Sequence, residues 1–86
     1  MRFDVLVEVQ LRPGISDPQG ATIERALPTL GFSEVHSVKV GRAIRFEVEA
    51  TDPDDAARKA HELAEKLLAN PVIEQADVTV NEAALR

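Results

Sequence analysis

The chain has no cysteine, tryptophan or tyrosine, and its only aromatic residues are Phe3, Phe32 and Phe46. Without cysteine it can form no disulfide, thiolate nucleophile or thiolate metal site, which excludes a metallochaperone built on paired thiolates. An RNA-recognition motif stacks bases on aromatic residues of its open sheet face. Phe3 and Phe46 instead fall on the apolar sides of their predicted strands. The core must therefore be built from Val, Ile, Leu and Ala.

Positive charge is also scarce, with ten basic against fifteen acidic side chains and a net charge of −5. This balance repels phosphate backbones and anionic lipid, so we expect neither a nucleic acid nor a membrane as partner. The opening stretch, MRFDVLVEVQ, lacks an apolar run long enough for a signal peptide or a membrane span. The sequence therefore predicts a cytoplasmic protein.

The length of 86 residues suits one domain, with a core over 2–80 and a short tail over 81–86. A chain this short buries only about 60–65% of its unfolded surface, so its core is marginal alone. We therefore expect oligomerisation.

Alternation of apolar and polar residues predicts a first strand over MRFDVLVEVQL, with Leu6 as the apolar exception on the polar face. Two further strands are predicted at Val35–Val40 and Ala43–Ala50, joined by a tight hairpin at Gly41-Arg42. A last strand is predicted at Val72–Val80. Val72 and Ile73 point to opposite faces of this edge strand, so we predict that the edge takes part in self-association.

Two helices are predicted, each opened by an Asp-Pro pair. The first spans DPQGATIERALPTLG, with Asp17 as its cap, Pro18 at its first position and a last turn tightened by Pro28. Its predicted buried stripe consists of Ile23, Ala26, Leu27 and Leu30. The second spans TDPDDAARKAHELAEKLLAN, with Thr51 or Asp52 as its cap and Asn70 as a left-handed stop. Its predicted stripe consists of Ala56, Ala60, Leu63 and Leu67.

The order β-α-β-β-α-β predicts an α+β fold, the ferredoxin-like sandwich. Right-handed crossovers place both helices on one face of a four-stranded antiparallel sheet with strand order 4-1-3-2. This fold supports many unrelated functions, so function must be argued from residues.

The polar residues give no catalytic or metal site. His36 and His61 lack the spacing of a ligand set. Arg12 and Gly14 resemble a phosphate cradle superficially, but Pro13 between them removes one backbone donor. No nucleophile, base and orienting group come together. The residues predict a domain that binds and does not catalyse.

Gly20 has two readings. Asp-Pro-Gln-Gly fits a type I turn, in which case the helix starts later. Alternatively the helix begins at Pro18, and the glycine, at a cost of about 0.5–1 kcal/mol relative to alanine, admits a close approach. The approaching group would then be a neighbouring subunit, or less favourably an anion at the helix N-terminus helped by Arg12.

Three stretches in this order and spacing resemble the PurS family, the small accessory subunits of bacterial phosphoribosylformylglycinamidine (FGAM) synthase. They are LRPGISDPQGATIERAL, LGFSEVHSVKVGRAIRFEVE and LLANPVIE, and the resemblance runs from about Phe3 to about Val80.

The resemblance implies a non-catalytic scaffold in purine biosynthesis. In this family a large synthetase subunit holds ATP, magnesium and formylglycinamide ribonucleotide, and a glutaminase subunit releases ammonia from glutamine. The small subunit binds no cofactor, forms a dimer or a dimer of dimers, and bridges the other two so that ammonia passes between their sites. The alternative from another class is a regulatory module of this fold that binds a small ligand.

On this interpretation two sets of residues are candidate contacts. The candidates for the partner interface are Arg12, Asp17, Pro18, Gln19, Gly20, Gly41, Arg42 and Asn70. The candidates for self-association are Leu6, Val72, Ile73 and Glu74.

Overall fold

The computed structural model describes residues 1–82. It contains β1 (Arg2–Leu11), α1 (Pro18–Ala26), a 3₁₀ turn (Pro28–Leu30), β2 (Gly41–Glu49), α2 (Pro53–Leu63), a π-helical turn (Ala64–Leu68) and β3 (Glu74–Glu82). β1 is central, and β2 and β3 pair with it antiparallel on either side. Of the predicted tail, residues 81 and 82 belong to β3, and residues 83–86 lie outside the described part of the chain.

The core lies between β1 and α2. The alternation in β1 places Phe3, Val5, Val7 and Val9 on one face, where all four are buried. The buried alanines Ala56, Ala60 and Ala64 belong to α2 and the π-helical turn, and their small side chains let the backbone lie close to the sheet. α2 packs on β1 and β3, while the same face of β2 is only partly buried.

The predicted hairpin is wrong, and with it the four-stranded sheet. Residues 35–40 form no strand, and Gly41 already belongs to β2, opposite Gln10 of β1. The amides of Val38 and Val40 instead donate to the carboxylates of Glu24 and Asp17. These carboxylates thus take backbone donors that a hairpin strand would use for pairing. The described residues therefore form an α+β fold with a three-stranded antiparallel sheet.

The predicted burial of the α1 stripe is also wrong. α1 begins at Pro18 as predicted, and Pro28 opens a 3₁₀ turn. However, Ile23 is 45% exposed and Leu30 67% exposed. α1 makes little contact with any strand. We call residues 12–40 the arm.

The molecule is elongated as a result. Its radius of gyration is 16.5 Å and its longest dimension is 50 Å. A compact domain of this length has a radius of gyration of about 12 Å. The arm therefore extends from the body formed by the sheet and α2.

The end of the second helix differs from the prediction. The π-helical turn holds one residue more than an α-helical turn, which shifts the apolar face at the end of the second helix. Leu68 thus packs on the core, and Leu67 is 75% exposed. Asn70 is not left-handed, since Ser37 is the one non-glycine residue of positive φ within residues 1–82. Val72 and Ile73 lie in the turn before β3 and do not start the edge strand.

Candidate partner interface

An open cleft of about 450 Å³ lies where β1 ends and β2 begins. It is lined by candidates from three separate parts of the sequence: Asp17, Pro18, Gln19, Gly41, Arg42 and Glu74. Gln10 opposite Gly41 and Leu11 opposite Glu74 set the strand register at this end of the sheet. The structure therefore brings together the start of α1 and the starts of the two edge strands, β2 and β3.

Asp17 fixes one wall of the cleft. Its Oδ1 accepts from the Gly20 amide at 2.8 Å, and its Oδ2 accepts from the Val40 amide at 2.9 Å. These two backbone hydrogen bonds hold the pKa of Asp17 below its ordinary value. A single carboxylate thus caps α1 and ties the end of the arm to its start.

The same wall explains Gly20. It is buried, and a Cβ built on it would collide with the carbonyl oxygen of Val38 and press on the Asp17 carboxylate. The helix therefore begins at Pro18, and a close approach accounts for the glycine, as the second reading predicted. The approaching group belongs to the same chain, so the expectation of a neighbouring subunit at this position is wrong.

Arg42 and Glu74 form the opposite wall. Arg42 Nη1 lies 2.9 Å from Glu74 Oε2, and its Nη2 donates to the carbonyl of Leu68 at 2.7 Å. Glu74 also accepts from the Asn70 amide at 2.7 Å, and its side chain is only 13% exposed. The bond to Arg42, followed by the Asn70 amide, lowers the pKa of Glu74. Arg42 thereby joins the start of β2 to the turn that follows α2.

Arg12 fastens that turn from the other side. Its Nε and Nη2 donate to the carbonyl of Pro71 at 3.1 and 2.9 Å. Its amide donates to the Ile73 carbonyl at 2.8 Å. Asn70 Oδ1 accepts from the Val72 amide at 3.1 Å. Arg12 and Asn70 therefore hold the α2–β3 turn beside the cleft.

The self-association candidates are not brought together. Leu6 lies on the sheet face opposite α2, between Arg45 of β2 and Thr79 of β3. Val72 and Ile73 lie in the turn near Arg12, about five residues further along the sheet. Only Glu74 lines the cleft.

Glu24 is a residue that sequence reasoning missed. Its Oε1 accepts from the Val38 amide at 2.9 Å, next to the Asp17 bond to Val40. In the sequence Glu24 looks like one more solvated residue on a polar helix face. Only the fold of the arm shows its partner.

The chemistry of the cleft is that of a fixed surface. Its carboxylates are engaged with backbone amides and Arg42, and so hold the chain in place. Within residues 1–82 there is no cluster of three or more His, Asp or Glu side chains able to hold a metal ion. The same residues include no helix of the length and apolarity needed to cross a bilayer.

Comparison with known proteins identifies the family. Residues 4–82 match the family model described as PurS, phosphoribosylformylglycinamidine (FGAM) synthase. The chain is 45% identical to the PurS subunit of FGAM synthase from Mycobacterium leprae, over 86% of this chain and 90% of that one. It is 38% identical to the subunit from Bacillus subtilis, over 93% of this chain and 94% of that one.

A solved structure agrees with these sequence matches. A chain in the structure of PurLQS from Thermotoga maritima superposes with a TM-score of 0.85 at 34% identity, covering 94% of this chain and 99% of that one. The resemblance noted in the sequence is thereby confirmed: the chain belongs to the PurS family, the small accessory subunits of the FGAM synthase enzyme complex.

Proposed function

We propose that this chain is the non-catalytic scaffold of FGAM synthase in purine biosynthesis. It bridges an ATP-dependent synthetase subunit and a glutaminase subunit, so that ammonia from glutamine reaches formylglycinamide ribonucleotide. The observation that carries the proposal is the match over nearly the whole chain to a component of PurLQS. ATP and magnesium then bind the synthetase, the chain acts in the cytoplasm, and it self-associates as a dimer or a dimer of dimers.

The geometry of the cleft supports this role. Asp17, Arg42 and Glu74 are engaged in holding backbone segments, whereas Pro18 and Gln19 are exposed on the rim. A rigid wall with an exposed polar rim suits a protein contact, because little side-chain entropy remains to be lost on binding. The comparisons do not favour the alternative of a regulatory module that binds a small ligand.

The test is a mixture of the three components. The rate of FGAM formation is measured once with glutamine and once with ammonia as the nitrogen source. A scaffold raises the glutamine-dependent rate and leaves the ammonia-dependent rate unchanged. If the chain alters neither rate, the proposal is refuted.

A variant locates the contact on the cleft. Gln19→Lys places a charge on the rim, where the glutamine side chain has no internal hydrogen bond within residues 1–82. We expect this variant to lose at least tenfold in affinity for the partner subunits, measured as the concentration that gives half-maximal stimulation. His61→Lys adds the same charge on the exposed side of α2 and is the control. Equal behaviour of the two variants would place the contact elsewhere.

A further inference from the structure

The sheet face opposite α2 has a different character from the core side, and we call it the outer face. In the described part of the chain α2 is the one helix that packs on the sheet, so the outer face is bare. Its side chains are the alternate residues of the three strands, and the basic ones are Arg2 and Arg45. The acidic ones are more numerous, namely Asp4, Glu8, Glu47, Glu49 and Asp77.

Acidic residues lie directly opposite one another on neighbouring strands of this face. Asp4 of β1 pairs with Glu47 of β2, and Glu8 of β1 pairs with Asp77 of β3. Asp77 also accepts from Gln10 Nε2 at 2.7 Å, a neutral donor that leaves the negative charge in place. Like charges in directly opposite positions destabilise a sheet. Because the chain alone gains nothing from this arrangement, a partner of opposite charge is a physical reason for it.

Internal cations offset the negative charge at one end of the outer face. Arg2 Nε lies 3.8 Å from Glu47 Oε2 and 3.4 Å from Glu49 Oε1. At the other end Glu8 is exposed, and its side chain forms no ion pair or hydrogen bond within residues 1–82. The charge of Glu8 is therefore available to a partner.

An apolar residue lies between the two acidic pairs. Leu6 is two residues from Asp4 and two from Glu8 along β1, and its neighbours across the sheet are Arg45 and Thr79. An open cavity of about 530 Å³ lies at this point, and its lining includes Asp4, Leu6, Arg45, Glu47 and Asn81. The outer face thus presents an apolar centre between negative charges that lie about 13 Å apart along the strand.

This pattern selects the class of partner. Nucleic acid and anionic lipid are repelled by the excess of carboxylates. A second copy of the chain placed face to face would bring carboxylates against carboxylates, and like charges across an interface are unfavourable. A protein surface that carries basic side chains on both sides of an apolar one is complementary in charge and in polarity.

We propose that the outer face is a second docking surface, which binds a basic surface of the partner subunit that the cleft does not bind. Leu6 packs against an apolar side chain of that surface. Lys or Arg side chains about 13 Å apart pair with Asp4 and Glu47 at one end and with Glu8 and Asp77 at the other. This inference rests on the proposed function, because a bridge needs two separate surfaces, and it adds the chemistry of the second one.

Reversing the charge of Glu8 tests this contact. The labelled full-length chain is titrated separately with the synthetase subunit and with the glutaminase subunit, in the presence of ATP, magnesium and glutamine. Glu8→Lys should weaken binding to one of the two subunits at least about tenfold. Glu65→Lys makes the same change at an exposed residue of the π-helical turn, and as the control it should bind like the natural chain.

Two further measurements separate docking from folding. The urea midpoint of Glu8→Lys should not fall, because the substitution replaces a like-charge pair with Asp77 by an opposite-charge pair. Raising the ionic strength from about 0.05 to about 0.3 M should weaken binding of the natural chain to that subunit more than binding of Glu8→Lys. Asp77→Lys repeats the measurements if Glu8→Lys fails to fold.

The possible outcomes are distinct. Equal affinities of Glu8→Lys and Glu65→Lys, or no binding of the natural chain to either subunit, would overturn the inference. So would a result in which Glu8→Lys and Gln19→Lys weaken binding to the same subunit. A change in dimer mass by light scattering with unchanged partner binding would assign the outer face to self-association and also overturn it. Weaker binding of Glu8→Lys, with no stimulation of the glutamine-dependent rate by the natural chain, would refute the scaffold function alone.

Discussion

Replacing Gly20 by alanine separates two opposite effects at one position. Gly20 lies in the first turn of α1, where alanine favours the helix by about 0.5–1 kcal/mol. The added Cβ would collide with the Val38 carbonyl oxygen and lie 2.9 Å from Asp17 Oδ2. Since Val38 O is backbone, relief requires the segment 38–40 to move away from the helix.

The expected change in the free energy of unfolding is the difference between the cost of this collision and the gain in helix propensity. An added methyl in a site without room costs about 1–3 kcal/mol. Taking the middle of each range and subtracting the gain in helix propensity from the cost leaves a net loss of about 1 kcal/mol. If the segment moves, the hydrogen bonds from Val38 to Glu24 and from Val40 to Asp17 lengthen as well. The arm should therefore loosen before the body unfolds.

Two assays measure the effect at a fixed protein concentration, because self-association is linked to stability. Hydrogen exchange at the Val38 and Val40 amides should accelerate about fivefold. The midpoint of urea unfolding should fall by up to roughly 1 M. The control is Ala21→Gly, an exposed neighbour that loses helix propensity without a collision, at about 1 kcal/mol. If Gly20→Ala is as stable as the natural protein or more so, the close approach does not determine this residue.

Further predictions concern the core, acid stability and the cleft. Val7→Ala should lower the free energy of unfolding by about 2 kcal/mol in chemical denaturation, because Val7 is wholly buried, whereas Val72→Ala, at a residue 79% exposed, should change it little. Hydrogen bonding to the Thr51 amide and to Arg58 lowers the pKa of Asp55 to about 2, so the unfolded chain binds the proton more readily. The stabilisation from Asp55 is present above its ordinary pKa of 3.8 and is lost as the pH falls toward 2. Asp55→Asn should therefore flatten the dependence of Tm on pH over that range. An unchanged slope would contradict this prediction. Arg42→Ala should raise the pKa of Glu74 toward its ordinary value in an NMR titration, since Arg42 is the main cause of its shift, while Arg58→Ala should leave it unchanged.

Local sequence determined the parts of the structure that depend on near neighbours. Alternation along β1 placed Phe3, Val5, Val7 and Val9 in the core, as the structure confirms. The Asp-Pro pairs predicted the starts of both helices, where Asp17 and Asp52 each accept from a first-turn amide. Such features follow from the sequence because the interacting groups lie within a few residues of one another. Of these features, only the first Asp-Pro pair also lies in a stretch that carried the resemblance to the family.

Tertiary structure decided where the segment between α1 and β2 lies. Residues 35–40 alternate like a strand, yet the amides of Val38 and Val40 bond to Glu24 and Asp17 across 14 and 23 residues. No local pattern shows that two carboxylates on a neighbouring helix compete with strand pairing for these donors. The exposure of the apolar stripe of α1 could not be predicted for a similar reason. Amphipathic spacing predicts that a helix face packs against an apolar surface, but it does not identify that surface.

The candidate cleft also depends on long-range placement. Sequence spacing selected Asp17, Arg42 and Glu74 separately, but the strand register of β1 with β2 and β3 brings them to one end of the sheet. The sequence by itself therefore determined the helix starts, the central strand and the family. Only the tertiary structure decided the three-stranded sheet, the extended arm and the cleft, because these depend on which distant donors, acceptors and apolar surfaces meet.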